Sequence, residues 1–194
     1  SIKDQEGRLA IAKFPHQGDE YNTVLWEALT LNLANQTGIQ TPKFSIKNIK
    51  DQSILITQRF DRINEQRVPY LSAMSLLNAR DNEQRSYLEI ADAIRQHGAK
   101  PKEDLHQLWR RIVFSILVSN TDDHLRNHGF LYTGNRGWTL SPAFDLNPTP
   151  TDIKPRILST AIDSHNHNAS LELALSVSEY FDLAPKEAKM IIKN

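Results

Sequence analysis

The 194-residue sequence predicts an α+β protein, with a small α/β part over about residues 1–60 and a larger, mostly helical part over 61–194. Three observations predict this. The first sixty residues read as strand, helix, strand, strand. Residues 103–119 carry the strongest helical periodicity of the chain. A polar, charged stretch (NTDDHLRNH, 120–128) follows that helix at once, and a hairpin pattern follows the polar stretch.

Arg8–Phe14 (RLAIAKF) sets Leu9, Ile11 and, less regularly, Phe14 against Arg8, Ala10 and Lys13, the alternation of a strand, with Lys13 assigned to the face of Arg8 and Ala10. PHQGDE is a turn, and Asp19 is a candidate cap for a helix over about 21–37. Val24, Leu25, Ala28, Leu29 and Leu31 form its expected apolar face, and Gly38 ends it. Residues 44–49 and 53–60 are strands around the polar turn Lys50-Asp51-Gln52. Helices are expected at 72–78, at 86–97 with Gly98 closing it, and at 103–119. In the last, Leu105, Leu108, Trp109, Ile112, Val113, Ile116 and Leu117 share one stripe, which Phe114 and Val118 widen, so burial on most sides is expected. Residues 129–132 and 138–140 make the hairpin around TGNRG, 141–150 is a Pro-rich loop, and helical patterns from Ser170 and after Pro185 complete the chain.

Composition excludes several function classes. Lys plus Arg and Asp plus Glu each total 23, so net charge is no argument for nucleic acid or an anionic membrane as partner. There is no cysteine, which rules out disulfides and thiolate metal sites. No apolar run approaches a membrane span, and residues 1–4 (SIKD) show no signal-peptide core. A reducing, cytoplasmic setting is the simplest expectation.

The chemistry concentrates in three residues. Asp122 and Asn127 stand in an Asp-x4-Asn spacing, and Asp145 follows eighteen residues after Asn127, beyond the hairpin. Phosphoryl transfer needs a carboxylate to orient the attacking hydroxyl, hard oxygen ligands for Mg²⁺, and a cation on the phosphate oxygens. Asp122 suits the first role, Asn127 and Asp145 the second, and Lys13 on its strand the third. Glu27, among Trp26, Ala28 and Leu29, either points to solvent (the commoner case) or has a cationic partner. Phe60-Asp61-Arg62 is either a strand end with a local Asp–Arg pair or a connector offering backbone groups to a base. Two alternatives stay open for the polar stretch. Its residues are also ordinary cap and turn residues, and Asp122, Asp123, His124 and His128 could form the metal site of a hydrolase.

SNTDDHLRNHGFL followed by LSPAFDLNPTP resembles the HipA-type serine/threonine kinases, the toxin halves of bacterial toxin–antitoxin pairs. IAKFP, WEAL, RFDR and YLSAMSLLNARD are similar to that family too, so the resemblance covers most of residues 1–160. It implies a two-lobed protein-kinase-like fold, with 1–60 a partial N-lobe and 61–194 a helical C-lobe bearing the catalytic loop and metal site. It implies Asp122 as catalytic base, Asn127 and Asp145 as Mg²⁺ ligands, Lys13 as the phosphate-binding lysine and Glu27 as its helix partner. Gln58, Arg59 and Phe60 fall at an adenine-contacting hinge, Asp61 at a ribose contact, and His124 and Arg126 in a nucleotide-contacting loop. It implies ATP as co-substrate, a serine of a translation-related protein such as an aminoacyl-tRNA synthetase as acceptor, and a DNA-binding antitoxin as partner. The family's Gly- and Ser-containing phosphate loop would precede the Lys13 strand. No Gly-rich loop stands there, which sets an expectation that it lies upstream. An inactive kinase-like interaction module and a small-molecule kinase are the competing readings.

Overall fold

A computed structural model describes residues 1–4, 6–16, 18, 21–63, 66–150 and 155–193. A four-stranded antiparallel sheet, in the order β1-β2-β4-β3, is built from β1 (Ile2–Lys3), β2 (Leu9–Lys13), β3 (Phe44–Ile49) and β4 (Gln52–Gln58). The helix α1 (Thr23–Gln36) packs against β3 and β4. Asn22 caps it, its side chain accepting from the Leu25 amide, while Asp19 lies outside the described residues. Gly38 follows the helix end at φ 80°, the left-handed conformation that glycine adopts without a Cβ penalty.

Three sheet features among the described residues were not foreseen. β1 adds a fourth strand to the three expected in the first sixty residues. A two-stranded ribbon, β5 (Arg62–Ile63) and β6 (Gln66–Arg67), follows the junction. The hairpin of β8 (Gly129–Tyr132) and β9 (Trp138–Leu140) gains a third strand, β7 (Tyr70–Ser72), on the β8 side. The helical part contains α2 (Ala73–Leu76), α3 (Tyr87–His97), α4 (Pro101–Val118), α5 (Leu171–Ser176) and α6 (Pro185–Lys193). Ser86 and Glu89 form a reciprocal capping box on α3. Pro101 opens α4, where its missing N–H costs no helical bond.

Among the described residues there are two hydrophobic cores. The larger surrounds α4 and includes Tyr87, Leu108, Trp109, Ile112, Phe130 and Phe181. The smaller joins Val24, Ala28, Leu31 and Ala34 of α1 to Leu55 of β4, Phe114 of α4, and Ala143 and Leu146 of the loop after β9. This smaller core fastens the sheet and α1 to the helical part.

The expected apolar face of α1 needs correction. Leu25 and Leu29 are exposed, as are Trp26 and Leu33, while Val24, Ala28, Leu31 and Ala34 are buried. Apolar residues run almost all round this helix, so its periodicity cannot select a face. Leu117 of α4 is exposed as well, although it continues the buried stripe.

Candidate active site

Lys13, Glu27 and Asp145 meet although they come from β2, α1 and the loop after β9. Lys13 Nζ donates to Glu27 Oε1 at 2.7 Å and Oε2 at 2.9 Å, and to Asp145 Oδ1 at 2.6 Å. The smaller core explains the meeting. Ala143 and Leu146 bury themselves against α1 and carry the intervening Asp145 toward Glu27. Glu27 is 5% exposed, so the solvent-facing reading does not hold; its partner is Lys13. The assignment of Lys13 to the face of Arg8 and Ala10 is also corrected. A period of two puts position 13 with position 11, and Ile11 and Lys13 line the same cavity.

Burial opposes the charge on Lys13, but the Glu27 and Asp145 carboxylates outweigh it and hold its pKa above the ordinary value. Glu27 is raised, because burial outweighs the attraction of Lys13. With all three ionised, one ammonium stands between two carboxylates. The cluster then carries a net negative charge, which suits an added cation.

Asp145 has φ 57°, a left-handed backbone that few residues other than glycine and asparagine or aspartate adopt. Its Oδ1 accepts from Asn147 Nδ2 at 3.0 Å as well as from Lys13. The Asn147 amide donates to Asn120 Oδ1 at 3.2 Å, Asn120 Nδ2 to Ser115 Oγ at 3.2 Å, and Ser115 Oγ to Asp123 Oδ2 at 3.2 Å. Tyr87 OH also donates to Asp123 Oδ2, and His128 Nε2 lies 3.2 Å from Asp123 Oδ1. A polar chain therefore runs from Asp145 through Asn147, Asn120 and Ser115 to Asp123. Burial pushes the Asp123 carboxyl up, and His128, Tyr87 and Ser115 together bring it below its usual range. The adjacent Arg111, fully buried on α4, donates to the Ser141 carbonyl at 2.5 Å, and burial lowers its pKa to about 10.

The segment 120–128 folds as a loop with one short 3₁₀ turn, Leu125–Asn127. Asp122 is exposed and Asn127 buried. Asn127 Nδ2 donates to the Asp122 carbonyl at 3.1 Å, which leaves its Oδ1 as an available acceptor. Asp145 Oδ2 is available in the same way. An amide oxygen and a carboxylate oxygen are the hard donors that Mg²⁺ prefers. Asp123 and His128 turn inward to Tyr87, away from the exposed Asp122, so the four residues of the hydrolase reading do not form one ligand set.

Beside Lys13 lies a cavity of about 260 Å³, lined also by Gln58, Arg59, Phe60, Asp61 and Phe144. The Phe60 ring sits 5.6 Å from Phe144 and 6.2 Å from Tyr70, centroid to centroid. Tyr70 can approach β8 this closely because residue 129 is glycine; a Cβ there would stand 2.4 Å from the ring. The lining of this cavity thus combines three aromatic rings with Lys13 and its two carboxylate partners. Both oxygens of Asp61 are held by arginine: Arg59 donates at 2.8 and 2.6 Å, and Arg62 at 2.5 Å. That contact with Arg59 carries Asp61 below the ordinary carboxylate range against the effect of burial. His124 and Arg126 line a different cavity, with Asp122. Asn120, Asn147, Tyr70 and Phe144 escaped the sequence reading. Phe144 carried a signal, as one of the two apolar residues that flank Asp145 in a polar loop.

The fold is that of a kinase-like protein. The chain belongs to the HipA-like C-terminal domain family, whose sequence model matches residues 1–194. It is 30% identical over 152 residues to a candidate kinase of Haemophilus influenzae, covering 69% of this chain and 44% of that protein. It is 46% identical over 46 residues to the candidate kinase Y4dM of Sinorhizobium fredii, covering 24% of this chain and 11% of that protein. Among solved structures it resembles HipA of Shewanella oneidensis MR-1, in complex with HipB and operator DNA, at TM-score 0.79 and 19% identity, over 94% of this chain and 48% of that one. The Helicobacter pylori proinflammatory kinase CtkA aligns at TM-score 0.66 and 18% identity, over 100% of this chain and 81% of that one. The chain thus spans less than half of the Haemophilus and Shewanella proteins.

Proposed function

We propose that this chain carries the catalytic part of an ATP-dependent serine/threonine protein kinase, with 1–60 serving as part of an N-lobe and 61–194 as the C-lobe. The observation that carries this reading is the convergence of Lys13, Glu27 and Asp145 from three distant segments. Lys13 binds phosphate oxygens, and Glu27 holds its ammonium in place. Asn127 and Asp145 hold Mg²⁺, which when bound neutralises phosphate charge. Phe60, Phe144 and Tyr70 enclose the base, and Gln58, Arg59 and Asp61 border it. Asp122 accepts the proton of the attacking hydroxyl.

The family and the Shewanella complex support a toxin role, with a DNA-binding antitoxin as partner. The proposed acceptor is a serine of a translation-related protein such as an aminoacyl-tRNA synthetase, in the cytoplasm. No helix among the described residues is long and apolar enough to cross a membrane.

Asp122→Asn tests the reading. General-base loss should lower phosphoryl transfer by about 10²-fold or more, while calorimetric binding of Mg-ATP persists. Normal transfer by this variant would remove Asp122 from the mechanism. Absence of Mg-ATP binding by the unmodified chain would favour an interaction module instead.

A further inference from the structure

β3 is an edge of the four-stranded sheet, and at six residues it is longer than the other edge, β1, at two. The Gln58 amide donates to the Lys43 carbonyl at 2.8 Å, and Phe44 stands opposite Thr57. Bonded and non-bonded positions alternate in an antiparallel pair. Ser45, Lys47 and Ile49 therefore bond β4, and the N–H and C=O groups of Phe44, Ile46 and Asn48 point out from the edge. Among the described residues no further hydrogen bond reaches these groups. All six residues of β3 pair with β4 in unbroken register, with no proline and no bulge to blunt the edge. Its two faces differ. Lys43, Ser45 and Lys47 are exposed and, with Ala10 and Ile56, line a cavity of about 400 Å³ on the sheet face turned away from α1. Arg8 in the same lining binds Asp4 at 3.0 Å and Glu6 at 2.5 Å, whereas Lys43 and Lys47 form no ion pair among the described residues. The other face carries Phe44 and Ile46, half-buried against the smaller core.

We propose that β3 takes an extended, acidic segment of a partner protein as a fifth strand, bonded to the outward groups of Phe44, Ile46 and Asn48, with its carboxylates beside Lys43 and Lys47. The inference stands apart from the kinase reading. An open row of backbone donors and acceptors is completed by another strand, since a helix bonds its own backbone groups. Charge fixes the composition. Opposite charges on neighbouring strands stabilise the pair and like charges oppose it, and the two lysines on the cavity face have no carboxylate of their own. Side chains alternate along a strand, so the acidic residues fall at every second position, with apolar ones between them beside Phe44 and Ile46. A second copy of this chain does not fit, because β3 laid against β3 gathers the lysines of both copies on one face. Lysines also guard edges against unwanted pairing. Here they stand on one face only, so they turn away neutral and basic strands and leave the edge open to an acidic one.

The probe is a capped peptide of alternating Glu and Val, as long as β3. It is compared with a block peptide of the same composition, which has the same charge and no alternation, and with a peptide of alternating Lys and Val. Binding is read by calorimetry and by amide hydrogen exchange resolved residue by residue. At a concentration about ten times its Kd, the Glu–Val peptide should slow exchange at the amides of Phe44, Ile46 and Asn48 about tenfold. The block peptide should bind at least tenfold more weakly. The double variant Lys43→Glu, Lys47→Glu changes two exposed side chains; it should lose at least tenfold in affinity for the Glu–Val peptide and bind the Lys–Val peptide instead. That exchange of preference shows that the variant's edge is intact. No binding of the Glu–Val peptide overturns the proposal and leaves β3 a guarded edge. Equal affinity for the block peptide, unchanged exchange at the three amides, or a double variant with the original preference overturns it as well.

Discussion

Asn120→Ala tests whether the polar chain behind the 120–128 loop positions Asp145. Asn120 is 1% exposed and makes two side-chain hydrogen bonds in this chain, one on each side of its amide. Removing them orphans the Asn147 amide and frees Ser115 Oγ from its donor. Each neutral bond contributes about 1 kcal/mol, and a buried group left unpaired costs more, so a loss of roughly 2–3 kcal/mol is expected. For a domain of this size that lowers Tm by about 5–10 °C. Urea denaturation should show an earlier midpoint with an unchanged slope. The functional effect separates positioning from mere stability. With Asn147 released, Asp145 Oδ1 keeps Lys13 and loses its second fixed donor. A displacement of about 1 Å at a metal ligand can cost about 10²-fold in rate. We therefore expect kcat to fall by about 10- to 100-fold and the Mg²⁺ half-saturation to rise, measured well below the new Tm, with the KM for acceptor little changed. A variant destabilised as expected, yet with wild-type kcat and Mg²⁺ dependence, would show that the chain of contacts only holds the fold together.

Glu27→Gln keeps the shape of the side chain and removes the charge that holds Lys13. Lys13 is then left with Asp145 as its carboxylate partner, so Mg-ATP affinity should fall about tenfold, read by calorimetry; unaltered affinity would detach Glu27 from the site. The same variant should alter the pH dependence of stability. Glu27 titrates above its ordinary value in the folded state, so between the ordinary and the raised value the folded state binds more protons and stability declines as pH rises. Glu27→Gln should flatten this decline in urea titrations, and an identical slope in both proteins would contradict it. Phe144→Ala removes one aromatic wall of the Lys13 cavity and should weaken adenine nucleotides by about tenfold while leaving inorganic triphosphate binding nearly unchanged; equal weakening of both would place the base elsewhere.

What the sequence made legible follows from the range of the interactions involved. Local patterns marked α3 through the glycine that closes it and α4 through its long apolar stripe, because both depend on residues a few positions apart. The face of α1 was not legible. Its Leu25, Trp26, Leu29 and Leu33 are as apolar as its buried residues, and only the position of β4 and of the 143–146 loop decides which side is covered. β7 was missed for a related reason. Three residues with one apolar member carry no period, and their strand identity comes from pairing with β8 some sixty positions later. The partner of Glu27 had the same character, since Lys13 lies fourteen residues away and nothing closer points to a buried carboxylate rather than a solvated one.

Asp145 shows why such a site needs more than its reactive residues. A left-handed backbone at a non-glycine position costs about 1–2 kcal/mol. It persists here because three separate contacts fix the segment. Ala143 and Leu146 are buried on either side of it, Asn147 binds its carboxylate, and the Thr149 amide donates to the Ser119 carbonyl at 2.8 Å. Ser119 itself is left-handed, at φ 57°, where α4 ends. The two strained residues are therefore joined through one short stretch of backbone, and both the Asp122 loop and the Asp145 segment take their direction from the end of the most deeply buried helix. Asp122, Asn127 and Asp145 show in the sequence as a spacing. Their placement is set by α4, which presents Arg111 and Ser115 to the two segments and gives both a common rigid origin.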